Sequence, residues 1–180
     1  MASLTVFQFK PLAQCRERQI VRVKINDDAE WAILGDVTHS LYPPLLILSG
    51  KNAPLIINVS ESGRRLTGDF VDYPVADFGT RYKFVPEYSG RCQIGFGDLF
   101  TKPGTLVFVK DEVALIAREQ KQVRFFYLTS GTVKGDIPET HRIAYEKSHL
   151  IIESLLPNEP LLRFGEQPSH DAPNSGPKAK

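Results

Sequence analysis

Apolar and polar positions alternate with a period of two through most of this chain. Successive side chains of a strand point to opposite faces, so this period predicts half-buried β-strands. It predicts strands over residues 4–9, 16–25, 31–37, 45–48 and 55–59. Further strands are expected over 65–73, 80–85, 92–96, 105–110, 113–118 and 122–129. Between them stand Asp27-Asp28, Tyr42-Pro43-Pro44, Ser49-Gly50-Lys51-Asn52, Ser62-Gly63, Ser89-Gly90, Pro103-Gly104 and Ser130-Gly131, residue types that turns require. Strands spaced at about 8–12 residues predict a mainly β fold, an antiparallel β-sandwich or jelly-roll-like barrel, rather than alternating βαβ units.

One short C-terminal helix is expected within residues 138–156. Thr140 suits an N-cap, and Ile143, Lys147, Leu150, Ile151 and Leu155 recur at helical spacing. The run Leu150-Ile151-Ile152 also fits a buried strand. From residue 157 the composition changes: the last 24 residues hold five prolines and many small polar side chains. Such a segment cannot bury enough apolar surface to fold alone. The expected organisation is a β-rich domain over 1–156 and an extended tail or docking arm over 157–180. Leu161, Leu162 and Phe164 are the arm's apolar anchor, set either on a partner or on its own domain.

Residues 16–25 combine alternation with charge. On one face stand Arg16, Arg18, Arg22 and Lys24, interrupted by Ile20; on the other stand Val21, Val23 and Ile25. Two readings follow for the cationic row. Long basic side chains on a solvated face or edge discourage edge-to-edge aggregation, and the same row can dock an acidic protein surface.

Bulk charge narrows the choice. With 22 basic and 21 acidic residues the formal net charge is +1, whereas a dedicated duplex-binding domain is much more basic. Basic residues neighbour aromatics in Arg81-Tyr82-Lys83-Phe84 and Arg124-Phe125-Phe126-Tyr127. In the first, alternation separates cations from rings and assigns Tyr82 and Phe84 to the core. In the second, Arg124 shares a side with Phe126, the better candidate pair for stacking a single-stranded base. Nucleic-acid binding is therefore the alternative reading, behind protein binding or self-association.

No motif for catalysis is complete. Ser49-Gly50-Lys51-Asn52 lacks the upstream glycine and the Ser/Thr of a phosphate loop. Ile94-Gly95-Phe96-Gly97-Asp98 lacks the third glycine and helix of a dinucleotide site, and marks a strand that bends or packs closely. Gly97-Asp98 with Pro103-Gly104 resembles part of the second signature of cupin barrels. That family's metal-binding histidines have no counterpart nearby, so the resemblance implies only a jelly-roll-like turn. His39, His141, His149 and His170 show no metal-ligand spacing. There is no G-x-S-x-G elbow, and the pairs Asp69 with Asp72 and Asp111 with Glu112 read as solvated turn carboxylates. No cofactor, metal or catalytic residue is expected, which leaves an enzyme with a site built from scattered loop residues as the third reading.

Cys15 and Cys92 lie far apart and read as two buried free thiols, with a single disulfide between them as the alternative. Residues 1–10 lack the charged and apolar regions of a signal peptide, and no apolar run approaches the ~20 residues of a membrane helix. Asn58-Val59-Ser60 matches a glycosylation sequon by chance in such a context. The expectation is a soluble, cytoplasmic or virion-associated protein outside the membrane. Its expected role is a non-enzymatic protein-binding or assembly module, such as a viral or phage structural component, using Arg16, Arg18, Arg22, Lys24, Arg124, Phe126, Leu161, Leu162 and Phe164.

Overall fold

A computed structural model describes residues 8–25, 28–38, 43–58, 74–138, 142–153, 155 and 158–165. The fold is mainly β, as the alternation predicts. A first layer contains β1 (Gln8–Pro11), β2 (Ile20–Ile25), β3 (Asp28–Leu34), β4 (Pro44–Ile47), β5 (Leu55–Asn58) and β6 (Pro74–Asp77), in the order β1-β6-β2-β3-β4-β5. The small antiparallel sheet β15-β14-β7 uses β7 (Tyr82–Pro86), β14 (Ser148–Ile152) and β15 (Leu162–Phe164). A further layer contains β8 (Cys92–Ile94), β9 (Leu106–Val109), β10 (Glu112–Glu119), β11 (Gln122–Tyr127), β12 (Val133–Lys134) and β13 (Arg142–Tyr145). Here β10-β9-β13-β8 run in order, and β11 and β12 add on the other side of β10.

The long strand β10 joins the two large layers. Along one side its first half pairs antiparallel with β9, and its last residues, Arg118 and Glu119, pair parallel with β5. Alternation then sorts the side chains into three apolar clusters. Leu106 and Leu115 of the second layer meet Ile33, Leu46 and Ile56 of the first and Leu150 and Phe164 of the small sheet in the central cluster. The outer faces bury separate clusters, Val21, Val23, Ala32 and Leu45 on the first layer and Val107, Val109, Ile116 and Phe125 on the second. Residues 45–47 are buried on both faces, which explains their uninterrupted Leu-Leu-Ile sequence. At the end of β3 the backbone of Asp36 donates to Gly131 O at 2.9 Å. Gly131 has φ +72, and a Cβ there would lie 2.9 Å from Asp36 N, so glycine is required where these loops cross.

The helix expected within 138–156 is absent, and β13 and β14 take its place. Helical spacing there is overridden by pairing: β13 bonds to β8 and β9, and β14 bonds to β7 and β15, which satisfies the backbone on both sides. The β-branched Ile143, Ile151 and Ile152 suit that pleated setting. Among the described residues the helices are single 3-10 turns, Leu12–Gln14 and Asp98–Thr101. The strand expected over 65–73 lies outside the described residues.

Candidate interaction surface

The cationic row does not survive as one face. Residues 16–19 precede β2, and Arg18 has φ +62, so alternation begins only at Ile20. Ile20 points into the central cluster. Arg18 turns away, its Nη1 donating to Thr129 O at 2.9 Å. Arg22 donates from Nη2 to Ala29 O at 2.6 Å and stacks its guanidinium 4.9 Å from the Trp31 ring centre, where β2 and β3 hold the two residues opposite each other. Lys24 is exposed at the far end of β2, and Arg16 sits in the exposed turn. Nor is β2 an edge: it lies between β6 and β3. A row broken by a buried isoleucine, with Arg18 and Arg22 committed to carbonyls and an indole, is not a continuous docking face.

The other expected contacts are likewise engaged within the chain. Phe126 is 0% exposed in the central cluster, so it offers no ring for a base. Arg124 donates from Nε to Glu119 at 3.0 Å and bonds to Gln122. Leu162 and Phe164 lie on β15, paired with β14, and the Phe164 ring packs 5.6 Å from Phe84. Leu161 packs beside them, its N–H donating to Leu150 O at 2.7 Å. The arm's anchor is thus set on its own domain, and residues 166–180 lie outside the described residues. As expected, Tyr82 and Phe84 face the central cluster.

Neither cysteine is bonded, but their environments differ: Cys15 is buried and Cys92 is exposed, correcting the expected burial of both. Burial pushes the Cys15 thiol up to about 11, which makes it a poor nucleophile. Cys92 is exposed because it stands on β8, the terminal strand of the second layer among the described residues.

Around β8 the apolar layer runs out into the open. The register places Leu106, Phe108, Val113, Ile143, Tyr145, Cys92 and Ile94 on one face of β10-β9-β13-β8. The small sheet covers the Leu106 and Leu115 end of that face through the central cluster. Beyond it Phe108, Val113 and Ile143 are only half-buried, and Ile94 is 77% exposed. Tyr88, 84% exposed, stands edge-on to Tyr145 at 5.9 Å, and Tyr145 stands edge-on to Phe108 at 5.6 Å. An apolar face continuous with the core and ending on an exposed edge strand is where a partner gains most by covering it.

The turn after β8 is firmly held. Gly95, with φ +78, reverses the chain so that Phe96 leaves the open face and lies over the buried Arg142. The Arg142 guanidinium sits 4.2 Å from the Phe100 ring centre and 5.0 Å from Phe96, and its Nε donates to Gly95 O at 2.5 Å. Gln93 closes the turn, donating to Asp98 at 2.9 Å and accepting from Leu99 N at 2.9 Å.

A polar rim borders the strand. Arg91 Nη2 lies 3.1 Å from both Glu146 and Asp98, and Lys102 Nζ lies 2.7 Å from Glu146. Hydrogen bonds from Arg91 and then Lys102 hold the Glu146 carboxyl down at about 2. Asp98 is lowered too, first by Gln93 and then by Arg91. A depressed folded pKa stabilises above the unfolded value and is lost as pH falls through the folded one. The Glu146 contribution is therefore present above about 4.5 and fades toward pH 2. Glu146→Gln should cost about 1 kcal/mol at pH 7 and flatten the acid limb of melting temperature against pH. Parallel wild-type and variant limbs would contradict this.

Other features offer less. A groove of about 400 Å³ lies between Ser49, Pro54, Lys102, Gly104, Arg163 and Phe164, without a histidine or carboxylate in its wall. His149 Nδ1 is 3.0 Å from Glu87, which also holds Arg163 at 2.6 Å; His39, His141 and His170 lie outside the described residues. Among the described residues no cluster of three His, Cys, Asp or Glu side chains is placed to hold a metal ion, and no helix is long and apolar enough to cross a membrane.

Sequence reasoning missed this surface although its signal was present. Cys92 and Ile94 alternate with polar Gln93, but nothing in the pattern tells a core-facing apolar row from an uncovered one. That distinction depends on which strand ends the sheet. No protein-family model, curated protein or solved structure matches this chain.

Proposed function

We propose that this protein is a non-enzymatic protein-binding or assembly module whose interaction surface is the open apolar face at β8, not the basic residues 16–24. The observation that carries the reading is Ile94, 77% exposed on an edge strand and continuous through Ile143 and Phe108 with the buried core. Single exposed apolar residues are ordinary, but an apolar face joined to the core and ending at a free edge is characteristic of an interface. The Tyr88–Tyr145–Phe108 edge-on stack adds aromatic area of the kind interfaces favour. The charges of Arg91, Asp98, Lys102 and Glu146 beside the strand are paired with one another, so they leave the apolar face uncharged.

The nucleic-acid alternative loses support because burial of Phe126 removes its stacking partner for Arg124.

A photo-crosslinking residue in place of Ile94 tests the proposal, with one in place of the exposed Lys83 on β7 as control. In cells making the full chain, position 94 should give discrete protein adducts that position 83 does not. Equal patterns from the two positions would overturn the reading.

A further inference from the structure

We infer that the partner at this surface is a second copy of the same chain, paired antiparallel through β8 about a two-fold axis at Gln93. This rests on the proposed interaction surface and specifies its occupant. Backbone direction supplies the first argument. Gly95 N donates to Arg142 O at 3.1 Å and Arg91 O accepts from Glu146 N at 2.9 Å, so residues 91, 93 and 95 turn their polar groups toward β13. Cys92 and Ile94 therefore turn theirs outward, where no described strand lies.

Two outward residues placed symmetrically about Gln93 can satisfy each other in a copy running the opposite way. Cys92 exchanges both backbone bonds with the partner's Ile94, and Ile94 does so with the partner's Cys92. The exposed isoleucine of each copy then covers the exposed thiol of the other, on the face where each copy's apolar layer runs out.

Charge supplies a second, permissive argument. Arg91 Nη2 lies 3.1 Å from both Asp98 and Glu146 of its own chain, and Lys102 Nζ lies 2.7 Å from Glu146, so the charges beside β8 cancel within each copy. The antiparallel direction follows from the two-fold relation, in which the same two outward residues of each copy meet. A net charge of +1 leaves little long-range repulsion between copies. An unrelated extended peptide would gain only the few bonds of a three-residue strand, while a second copy adds its own apolar face.

The full-length protein provides the test. Its sedimentation mass should rise with concentration from 20.2 kDa toward twice that value. Ile94→Asp should stay at 20.2 kDa, because two buried carboxylates would then sit in the pair. A wild type that stays monomeric when concentrated, or an Ile94→Asp that associates equally well, overturns the inference.

The register has its own readout. Opposed residues of a non-hydrogen-bonded pair have Cα atoms about 4.5 Å apart, within disulfide reach, whereas diagonal neighbours are about 7–8 Å apart. Gln93→Cys combined with Cys92→Ser should form a covalent dimer on mild oxidation, well above native Cys92 and above Lys83→Cys. Yields no higher than those controls overturn it. A monomeric wild type that still gives an adduct with another protein at position 94 retires the self-pairing and leaves the proposed function standing. Absence of both dimer and adduct retires the two together.

Discussion

Truncating Phe126 to alanine lowers the unfolding free energy by about 3–5 kcal/mol, the usual cost of emptying a buried aromatic site. The ring is fully buried opposite Leu115 on β10, in the cluster where both large layers and the small sheet meet. Natural domains hold only about 5–15 kcal/mol in total, so the variant is marginal or unfolded. Denaturant titration checks this: the midpoint should fall with an unchanged slope. A loss below about 1 kcal/mol would place the ring at a yielding, accessible site and restore it as a stacking partner for Arg124.

Phe164→Ala carries the second large cost, again about 3–5 kcal/mol, although its residue lies in a segment whose composition reads as a tail. The ring is 5% exposed and stacks on Phe84, while β15 completes the small sheet through β14. Without β15, apolar surface of the central cluster on Leu150 and Phe84 meets water. Deleting residues 157–180 should therefore cost more than Phe164→Ala and expose dye-binding apolar surface. A deletion variant as stable as the full chain but lower in solution mass would instead mean that the arm works between subunits.

The contrast between these two phenylalanines shows what was legible in the chain. Phe126 sits in a strand whose alternation, length and flanking turns are all local, and those strands form as the pattern predicts. Phe164 sits among prolines and small polar residues, where local composition predicts no structure. Only three apolar positions and the open edge of the preceding strand β14 make it ordered, and that pairing is not written in the composition of the segment. The same physics explains residues 142–152. Ile143, Lys147 and Leu150 recur at helical spacing, but edges offered by β9 and β7 decide the outcome.

The cationic row failed for a different reason. Alternation is a property of extended backbone, and positive φ at Arg18 interrupts it before β2 begins. Arginine carries no local mark of that conformation, so Arg16 and Arg18 look continuous with Arg22 and Lys24. The β8 surface was hidden by an ambiguity of period two itself, since Cys92-Gln93-Ile94 reads the same whether its apolar side is covered or open. Exposure follows from strand order, and strand order from pairings distant in sequence, such as Ala144 with Gln93.

Amide hydrogen exchange resolved to single residues along β8 tests the central claim, that this edge is where the protein is covered by another chain. The Gln93 and Gly95 amides point toward β13 and should exchange slowly at every concentration. The Cys92 and Ile94 amides point outward and should exchange fast in dilute wild type, slow as concentration rises, and remain fast throughout in Ile94→Asp. Outward amides that exchange equally fast in concentrated wild type and in Ile94→Asp would contradict the account.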